Sequence, residues 1–538
     1  MNKIYTKIAA QAACLALVLA SASALHAQKT LIPANVDGDE SFAFTYINLF
    51  VNSNVGETPD TNALFEYELE AGGVYLWTAR ETWAFDVSFS STGDVATLGR
   101  PFITRVKIGG GNPGDMYRGT GSLYFDGIEM EIGEDGAESA RYETASLRPQ
   151  GDGYTIAFND CILYKSRQAI ARCDGPNSTF KLTNSHVYNL GDYGELQGNG
   201  RVHDPRNGPA DSVIIKNNYL HNFLDRLYIG FRAVSANYVE ISSNTVFNHV
   251  GRHGFVQLTN AKESVIKDNL FINPGIMGST PVRANEQIQG RDDITEVHNF
   301  LLATTEDVAV SMSNNNIFYT QDVLDFYASI DTVSAPTMFN PEFIQVVGDT
   351  ANAYFSEPLE LNNVPGRQRL IEYARATYVT PDGKDLPDIM VEDVIEQGGD
   401  FDNGYLFDFS AFDPCYPATA RSATAGTNGG AIGATWLCDD LASSVREVAS
   451  YNSNIQLSIT PNPVAAVTNF KFLLTEDSDV SIDVFDVAAR TTVNAYSGRL
   501  SAGTQTLAWE GAGALAPGVH LVQISTNQGR MIQKIVAQ

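Results

Sequence analysis

Basic residues are scarce in this sequence: 35 lysines and arginines stand against 63 aspartates and glutamates, so the 538 residues carry a formal net charge of −28. Nucleic-acid-binding domains favour a basic balance, so this composition argues against a nucleic-acid partner. The hydrophobic share of 43% and the aromatic share of 10% argue against a disordered chain. We expect a folded protein of two or more domains that does not bind nucleic acid.

Long apolar runs are also missing after the N-terminus. The run Ile8 to Ala24 follows Lys3 and Lys7, and either Ala22-Ser23-Ala24 or Leu25-His26-Ala27 offers small residues for cleavage. This order is typical of a secretory signal peptide over residues 1–27, and the run is short for a membrane anchor. No later run reaches the ~18 apolar residues of a membrane span. We therefore expect a secreted or cell-surface protein with no transmembrane helix.

Cysteine is rare, with five in the chain, and Cys14 lies in the expected signal peptide. The other four make an even count, which favours disulfides in an exported protein. The close pairs are Cys161 with Cys173 and Cys415 with Cys438. Neither pair has the spacing of a zinc site. We expect these two disulfides and no metal site built on cysteine.

One short pattern recurs through the middle of the chain. Each copy is an apolar strand, a corner of Asn, Ser or Asp, and a second apolar strand. The anchors lie at 158, 182, 215, 241, 266 and 312, so the spacings are 24, 33, 26, 25 and 46. A base period of about 25 residues, interrupted twice, fits the coil of a parallel β-solenoid. Helical periodicity is lacking between the copies, which disfavours a βαβ barrel.

The corners are rich in asparagine, which tolerates left-handed backbone angles and hydrogen-bonds its own turn. On stacked coils such side chains form a hydrogen-bonded ladder. Val213 and Ile215 should then face the interior, and Lys216 should face solvent. We expect corner formation, not ligand binding, from these asparagines.

Over about residues 120–350, this pattern resembles the right-handed parallel β-helix of the pectate-lyase-like superfamily. The resemblance implies an all-β fold, with residues 28–118 as a β-rich entry and 119–439 as the solenoid. The Gly-rich stretch 425–434 looks like the end of such a domain. Members of that superfamily are mostly polysaccharide lyases, hydrolases and adhesins, and some bind calcium through clustered acids. No tight acidic cluster for calcium stands out here, and a cofactor stays unknown.

The sequence predicts a separate domain at the C-terminal end. Residues 440–456 form a linker with few apolar anchors, and short alternating strands follow to the end, as in an Ig-like β-sandwich. Pro461-Asn462-Pro463, the turn Pro517-Gly518-Val519-His520 and Lys534-Ile535 resemble the type A C-terminal sorting domain of the type IX secretion system. His520 departs from the Tyr that is usual in that family. The resemblance implies that residues 457–538 engage the secretion machinery; the alternative is a carbohydrate-binding sandwich.

The net negative charge is distributed unevenly along the sequence. Residues 160–300 hold 14 basic and 14 acidic residues and six of the eight histidines. Arg226 and Arg252 each follow a repeat anchor by 11 residues, so a solenoid would stack them on adjacent coils. Facing like charges destabilise unless an anion lies between them. That anion is either Asp225, a structural role, or an acidic group of a ligand.

Two insertions interrupt the repeat, and loops on a rigid scaffold often carry function. The first concentrates Arg201, His203, Asp204 and Arg206; the second holds a further group of charged residues. A uronate lyase needs a cation to neutralise the substrate carboxylate, a base, and an acid for the leaving oxygen. The sequence offers candidates for these roles. For catalysis they are Arg201, His203, Arg226, Arg252 and His253, and for substrate binding they are Lys165, Asp204, Arg206 and Arg232.

These residues predict a protein that binds acidic polysaccharide and cleaves it by lyase-type β-elimination. No motif fixes the base, so a non-catalytic surface adhesin or carbohydrate-binding protein on the same scaffold is the alternative. A hydrolase would need paired carboxylates, for which Asp204 and Asp225 are the nearest candidates.

Overall fold

The structure is a computed structural model of the 538-residue chain. Contacts divide it into two compact units, residues 1–443 and 444–538. In the first unit it describes residues 29–34, 45–105, 115–132, 147–166, 168–191, 200–230, 235–251, 253–287, 295–379, 412–438 and 441. In the second it describes 458–460, 464, 466–474, 477–486, 492–515, 518–526 and 529–537. The predicted signal peptide lies outside these residues, as does the predicted linker apart from residue 441.

The first unit is built from three long sheets of parallel strands, an arrangement consistent with a parallel β-helix. Sheet A contains, in spatial order, Thr30–Ile32, Leu64–Glu70, Asp86–Thr92, Leu123–Asp126, Thr155–Asn159, Ser178–Thr183, Ala210–Lys216, Ala236–Ser242, Glu263–Lys267 and Ala309–Ser313. Sheet B contains Thr45–Tyr46, Val74–Trp77, Phe102–Arg105, Glu129–Glu131, Ile162–Tyr164, His186–Leu190, Tyr219–Phe223, Thr245–His249, Leu270–Pro274, Asn315–Phe318 and Tyr354–Phe355. Sheet C contains Ala169–Ala171, Arg201–His203, Tyr228–Ile229, Val256–Thr259, His298–Leu302 and Thr337–Phe339.

From Thr155–Asn159 onward each coil visits sheets A, B and C in turn, so each of the six sequence copies of the repeat adds one strand to each sheet, whereas the strands before residue 155 belong to sheets A and B. As the alternation predicted, Val213 and Ile215 are fully buried and Lys216 is exposed. Sheets A and B continue without a break into strands before residue 119: Leu64–Glu70 pairs with Asp86–Thr92, and that strand pairs with Leu123–Asp126. The strands of the predicted entry region therefore belong to the same stack.

The corner between sheets A and B is formed as the asparagine-rich pattern predicted. Asn184, Asn217 and Asn314 have φ values between 52° and 59°, in the left-handed region. Just past them, buried asparagines link successive coils, because the Asn218 amide donates to Asn244 at 2.9 Å and that of Asn244 donates to Asn269 at 3.0 Å. Asn269 continues to Asn315 at 2.9 Å.

Helices appear outside the repeats, so the unit is mostly β and not all-β. Their bounds are Ile47–Val55, Val95–Leu98, Pro281–Gln287, Gln321–Ala328, Pro341–Val347 and Gln368–Val379. The fourth and the last of these pack with Leu224, Val250, Ile276 and Met277 in one apolar cluster. Among the described residues, no helix is long and apolar enough to cross a membrane.

A covering segment, residues 412–438, packs on sheet B. Tyr416, Ile432 and Cys438 form one apolar cluster with Phe247 and Ile272 of that sheet. The predicted disulfide Cys415–Cys438 is present and closes the segment. The predicted pairing of Cys161 with Cys173 is wrong: both are free, buried thiols, and Cys161 Sγ donates to the backbone oxygen of Asn159 at 3.2 Å. Burial raises the pKa of both thiols to about 12, so they act as small core residues.

The second unit consists of two antiparallel sheets that share one apolar core. One sheet contains Ser458–Thr460, Thr468–Leu474 and Gly503–Trp509. The other contains, in spatial order, Thr492–Leu500, Ser478–Asp486, Gly518–Thr526 and Gly529–Ala537. The motif Pro461-Asn462-Pro463 lies outside the described residues. His520 is buried on the third of these four strands.

Candidate functional site

An arginine–aspartate cluster lies along sheet C, on four neighbouring coils. Strand register builds it, because His203 pairs with Tyr228 and Tyr228 pairs with Val256. The residues next to these strands are thereby brought together. The cluster comprises Arg172, Arg201, Asp204, Arg206, Asp225, Arg226 and His253.

Asp225 is the centre of one half of the cluster and is fully buried. Its Oδ2 atom lies 2.7 Å from Nε of Arg201 and 3.5 Å from a terminal nitrogen of Arg226. Its Oδ1 atom lies 3.0 Å from Nδ1 of His253. Burial raises the pKa of Asp225, but Arg226, His253 and Arg201 outweigh burial and hold it well below its usual range. Asp225 is therefore held in its ionised form by these neighbours; its expected position between Arg226 and Arg252 stays a prediction, because Arg252 lies outside the described residues.

Asp204 is the centre of the other half and is also buried. Its Oδ2 atom accepts from Arg201 at 2.9 Å and from a terminal nitrogen of Arg206 at 2.9 Å. Nε of Arg172 lies 3.4 Å away and makes no hydrogen bond to any residue that the structure describes. Burial raises the pKa of Asp204, but the three arginines lower it more, so the carboxylate stays ionised.

The cluster carries an excess of positive charge. Arg201 bridges both aspartates; burial lowers its pKa, but the two carboxylates raise it above the ordinary value. At Arg172 the nearby carboxylate does not compensate for burial. The pKa of Arg172 is lowered to about 10, chiefly by burial; Asp204 opposes this shift, and Arg206, Arg148 and Arg201 add to it. Among the described residues, the four arginines and two aspartates of the cluster have a formal charge of +2, in a protein of net charge −28.

His253 is the histidine of the cluster, and its side chain is 13% exposed. Because Asp225 is ionised, its oxygen can only accept, so Nδ1 of His253 is the donor. The neutral ring then carries its lone pair on Nε2, the form that a general base requires. The backbone oxygen of His253 also accepts from Nε of Arg226 at 3.2 Å, which ties the ring's coil to its neighbour.

The side chain of His203 is not part of this cluster and lies in the protein core. Its ring is fully buried, stacked 4.1 Å from Phe180 and 6.1 Å from Tyr228, and neither ring nitrogen has a hydrogen bond among the described residues. Burial lowers its pKa to about 3, so the ring is neutral. This packing indicates a core residue and makes His203 unsuitable as the base.

The structure brings together Arg201, Asp204, Arg206, Arg226 and His253 of the predicted site. Lys165 lies at the end of a sheet B strand, where its Nζ is 2.6 Å from Glu131. Arg232 and Arg252 lie outside the described residues, so the expected stack of Arg226 on Arg252 stays a prediction. From the second insertion, Arg283 lies on a helix with its guanidinium 5.0 Å from the ring centre of Tyr378.

Arg172 was not among the residues predicted from the sequence, and neither were Arg148 and Arg118 on the preceding coils. A signal was present: each is followed three residues later by glycine, at Gly121, Gly151 and Gly175. A Cβ atom at Gly175 would lie 1.8 Å from the backbone oxygen of Gly151, so the turn needs glycine there. The Arg-x-x-Gly spacing thus marks one turn per coil.

The cluster does not suit calcium. Both of its carboxylates are occupied by arginines, and calcium requires several free oxygen ligands. In the described part of the chain, no three His, Cys, Asp or Glu side chains are grouped to hold a metal ion. We therefore assign no step to a metal.

Comparison with known proteins gives no identity. No protein-family model matches the chain, and no curated protein matches it.

Proposed function

We propose that this protein is a secreted or surface-displayed β-helix protein that binds acidic polysaccharide and cleaves it by lyase-type β-elimination. The observation that carries the proposal is the meeting of Arg201, Arg226 and His253 on the single buried carboxylate of Asp225. Two arginines that can pair with a uronate carboxylate therefore lie beside an imidazole ring of fixed orientation.

The chemistry follows from these groups. Arg201 and Arg226 stabilise the charge that develops on the uronate carboxylate as the neighbouring carbon loses its proton. Nε2 of His253 takes that proton, and Asp225 stabilises the imidazolium that forms. The carbon–oxygen bond to the next sugar then breaks and leaves a carbon–carbon double bond. The departing oxygen takes the proton from His253, which restores the neutral ring.

A non-catalytic binding protein is the second candidate, and one observation favours it. Each arginine of the cluster already contacts a buried aspartate, as expected if the ion pairs serve mainly to hold the coils together. In that case the excess charge attracts an acidic glycan without cleaving it.

Product formation separates the two candidates. The full protein is incubated with polygalacturonate, alginate and glucuronan, and the absorbance of unsaturated uronate is followed. We expect product on at least one polymer, and loss of about 10²–10⁴ in rate for His253→Ala with binding retained. The matched control is Lys262→Ala, an exposed side chain on a different turn. Binding without product on every polymer supports the non-catalytic candidate and overturns the lyase.

We also propose that the solenoid is right-handed and of the pectate-lyase-like kind, and that residues 457–538 form an Ig-like sorting domain for type IX secretion. Two antiparallel sheets around one core support the second part. The test is secretion from a bacterium that has this system. A chain that ends at residue 456 should stay in the periplasm, while the full chain reaches the surface or medium. Equal export of both chains would contradict a sorting role.

A further inference from the structure

Three arginines form a ladder on successive coils. Parallel bridges join Tyr117 to Leu147 and Leu147 to Ala171. The next residue of each is an arginine, so the ladder consists of Arg118, Arg148 and Arg172. Residues in register on parallel strands are separated by ~4.8 Å. One cation therefore recurs per coil, and the last of the three is part of the arginine–aspartate cluster.

The ladder opens to solvent as it leaves the cluster. The side-chain exposure is 9% for Arg172, 21% for Arg148 and 32% for Arg118. Two residues beyond Arg118 and Arg148, Thr120 and Gln150 are exposed and add polar groups beside them. An extended ligand can reach this face from the open end.

Each arginine has an aspartate, but these contacts use little of the guanidinium. Nε of Arg118 donates to Asp115 and Nε of Arg148 donates to Asp174, both at 2.5 Å. Among the described residues, neither arginine makes a hydrogen bond through its terminal nitrogens, which carry four of the five N–H groups. Nε of Arg172 is buried without a hydrogen bond in the same part of the chain.

Stacked like charges are unfavourable, and a ligand whose charges repeat with the coil would relieve the repulsion. Planar guanidinium groups bind carboxylate or sulfate through paired hydrogen bonds. A polymer with one anionic group per ~4.8 Å matches the coil spacing. A neutral polymer or a single small anion gains no such match.

We propose that Arg118, Arg148 and Arg172 bind a linear polyanion laid along the stack of coils, with one carboxylate or sulfate per arginine. The inference deepens the proposed function by stating how the acidic polymer is held. It holds whether or not His253 cleaves the polymer.

Calorimetric titration of the full protein tests the ladder. The probes are galacturonate oligomers of two, three and six units, with dextran sulfate as the sulfate arm and unsulfated dextran as the neutral control. We expect affinity to rise from the dimer to the trimer and then to level off. Arg118→Gln and Arg148→Gln should each weaken binding of the trimer on the order of tenfold, because each removes a charge-assisted contact. The matched control is Arg499→Gln, an exposed arginine of the second unit.

The results separate this inference from the proposed function. If neither charged polymer binds, or if both ladder variants bind as tightly as Arg499→Gln, the ladder is wrong. Lyase product together with unaffected variants keeps the proposed function and rejects the ladder. Weakened variants without product keep the ladder and reject the lyase. Tighter binding of dextran sulfate than of the uronate oligomers assigns the ladder to sulfate.

Discussion

Nε of Arg201 lies 2.7 Å from Oδ2 of Asp225, and both side chains are at least nine-tenths buried. The pair joins adjacent coils, because the two residues belong to successive turns of sheet C. A buried ion pair stabilises the fold only while both charges are present, because a single buried charge without its counter-ion is strongly unfavourable.

Asp225→Asn should therefore destabilise the first unit by about 3–5 kcal/mol, because it removes the buried anion that Arg201, Arg226 and His253 share. Urea unfolding followed by circular dichroism measures the change. Asp211→Asn, at an exposed carboxylate of sheet A, is the control and should stay within about 0.5 kcal/mol of the parent. A similar small loss in both variants would contradict a buried ion pair.

Acid should weaken the fold before its carboxylates titrate. Burial lowers the pKa of His186 and His203 to about 3 and that of His249 to about 4. The folded state then binds fewer protons than the unfolded state, whose histidines titrate near 6.5. Stability is complete above about pH 6.5 and is lost as the pH falls toward 3. At pH 5 the loss is about 2 kcal/mol per histidine.

His203→Phe tests this directly. Phenylalanine can stack between Phe180 and Tyr228 in the same way and has no nitrogen to protonate. The variant should lose less stability than the parent between pH 7 and pH 5, by about 2 kcal/mol in the unfolding free energy. Parallel pH profiles for the two proteins would show that His203 does not titrate on unfolding.

The repeat could be predicted from the sequence because the same alternation of apolar and polar residues and the same asparagine-rich corner recur with each coil. Val213, Ile215 and Lys216 lie where the alternation put them. The strands before residue 119 were not recognised as coils, because their corners lack the asparagine pattern. The helices Gln321–Ala328 and Gln368–Val379 were missed for a different reason: they pack on the stack from outside and follow no repeat.

The site was predictable in its residue types but only partly in its geometry. Composition pointed to Arg201, Arg226 and His253, which do meet at Asp225. It also pointed to His203, whose ring turns out to pack in the core. The direction of a side chain depends on strand register, because a shift of one residue along a strand moves the side chain to the opposite face of the sheet. Cys161 and Cys173 were paired by spacing alone, which says nothing about the direction of either side chain.

The disulfide Cys415–Cys438 should stabilise the covering segment 412–438. It closes a loop with a sequence separation of 23, for which chain-entropy models give about 3 kcal/mol. Replacing both cysteines with alanine should lower the urea midpoint, and a reductant should lower that of the parent equally. A reductant that has no effect on the parent would contradict the bond.

Alkylation checks the cysteine assignment itself. After unfolding without reductant, mass spectrometry should find Cys161 and Cys173 alkylated, and Cys415 and Cys438 still linked. Before unfolding, the two thiols should resist the reagent because both are buried. Rapid labelling of either thiol in the folded protein would contradict its core position.

The asparagine ladder should be a major source of stability in the solenoid. The side-chain amide of Asn244 donates to the backbone oxygen of Ile215 at 2.8 Å and to Asn269 at 3.0 Å, and its oxygen accepts from Asn218. Asn244→Ala leaves buried groups unpaired on the coil at each side. Each such group costs about 1–3 kcal/mol, so we expect a loss of about 3 kcal/mol or more.

Lys216→Ala is the matched control, because this residue lies one position before the neighbouring corner with its side chain exposed. Its loss should stay below about 0.5 kcal/mol. Asn244→Asp provides a second comparison: the carboxylate can still accept from Asn218 but cannot donate to Ile215 or Asn269. It should therefore be destabilised at neutral pH and recover part of the loss in acid, when protonation restores one donor. An Asn244→Ala variant as stable as Lys216→Ala would show that the coils are held by their apolar interior and not by the ladder.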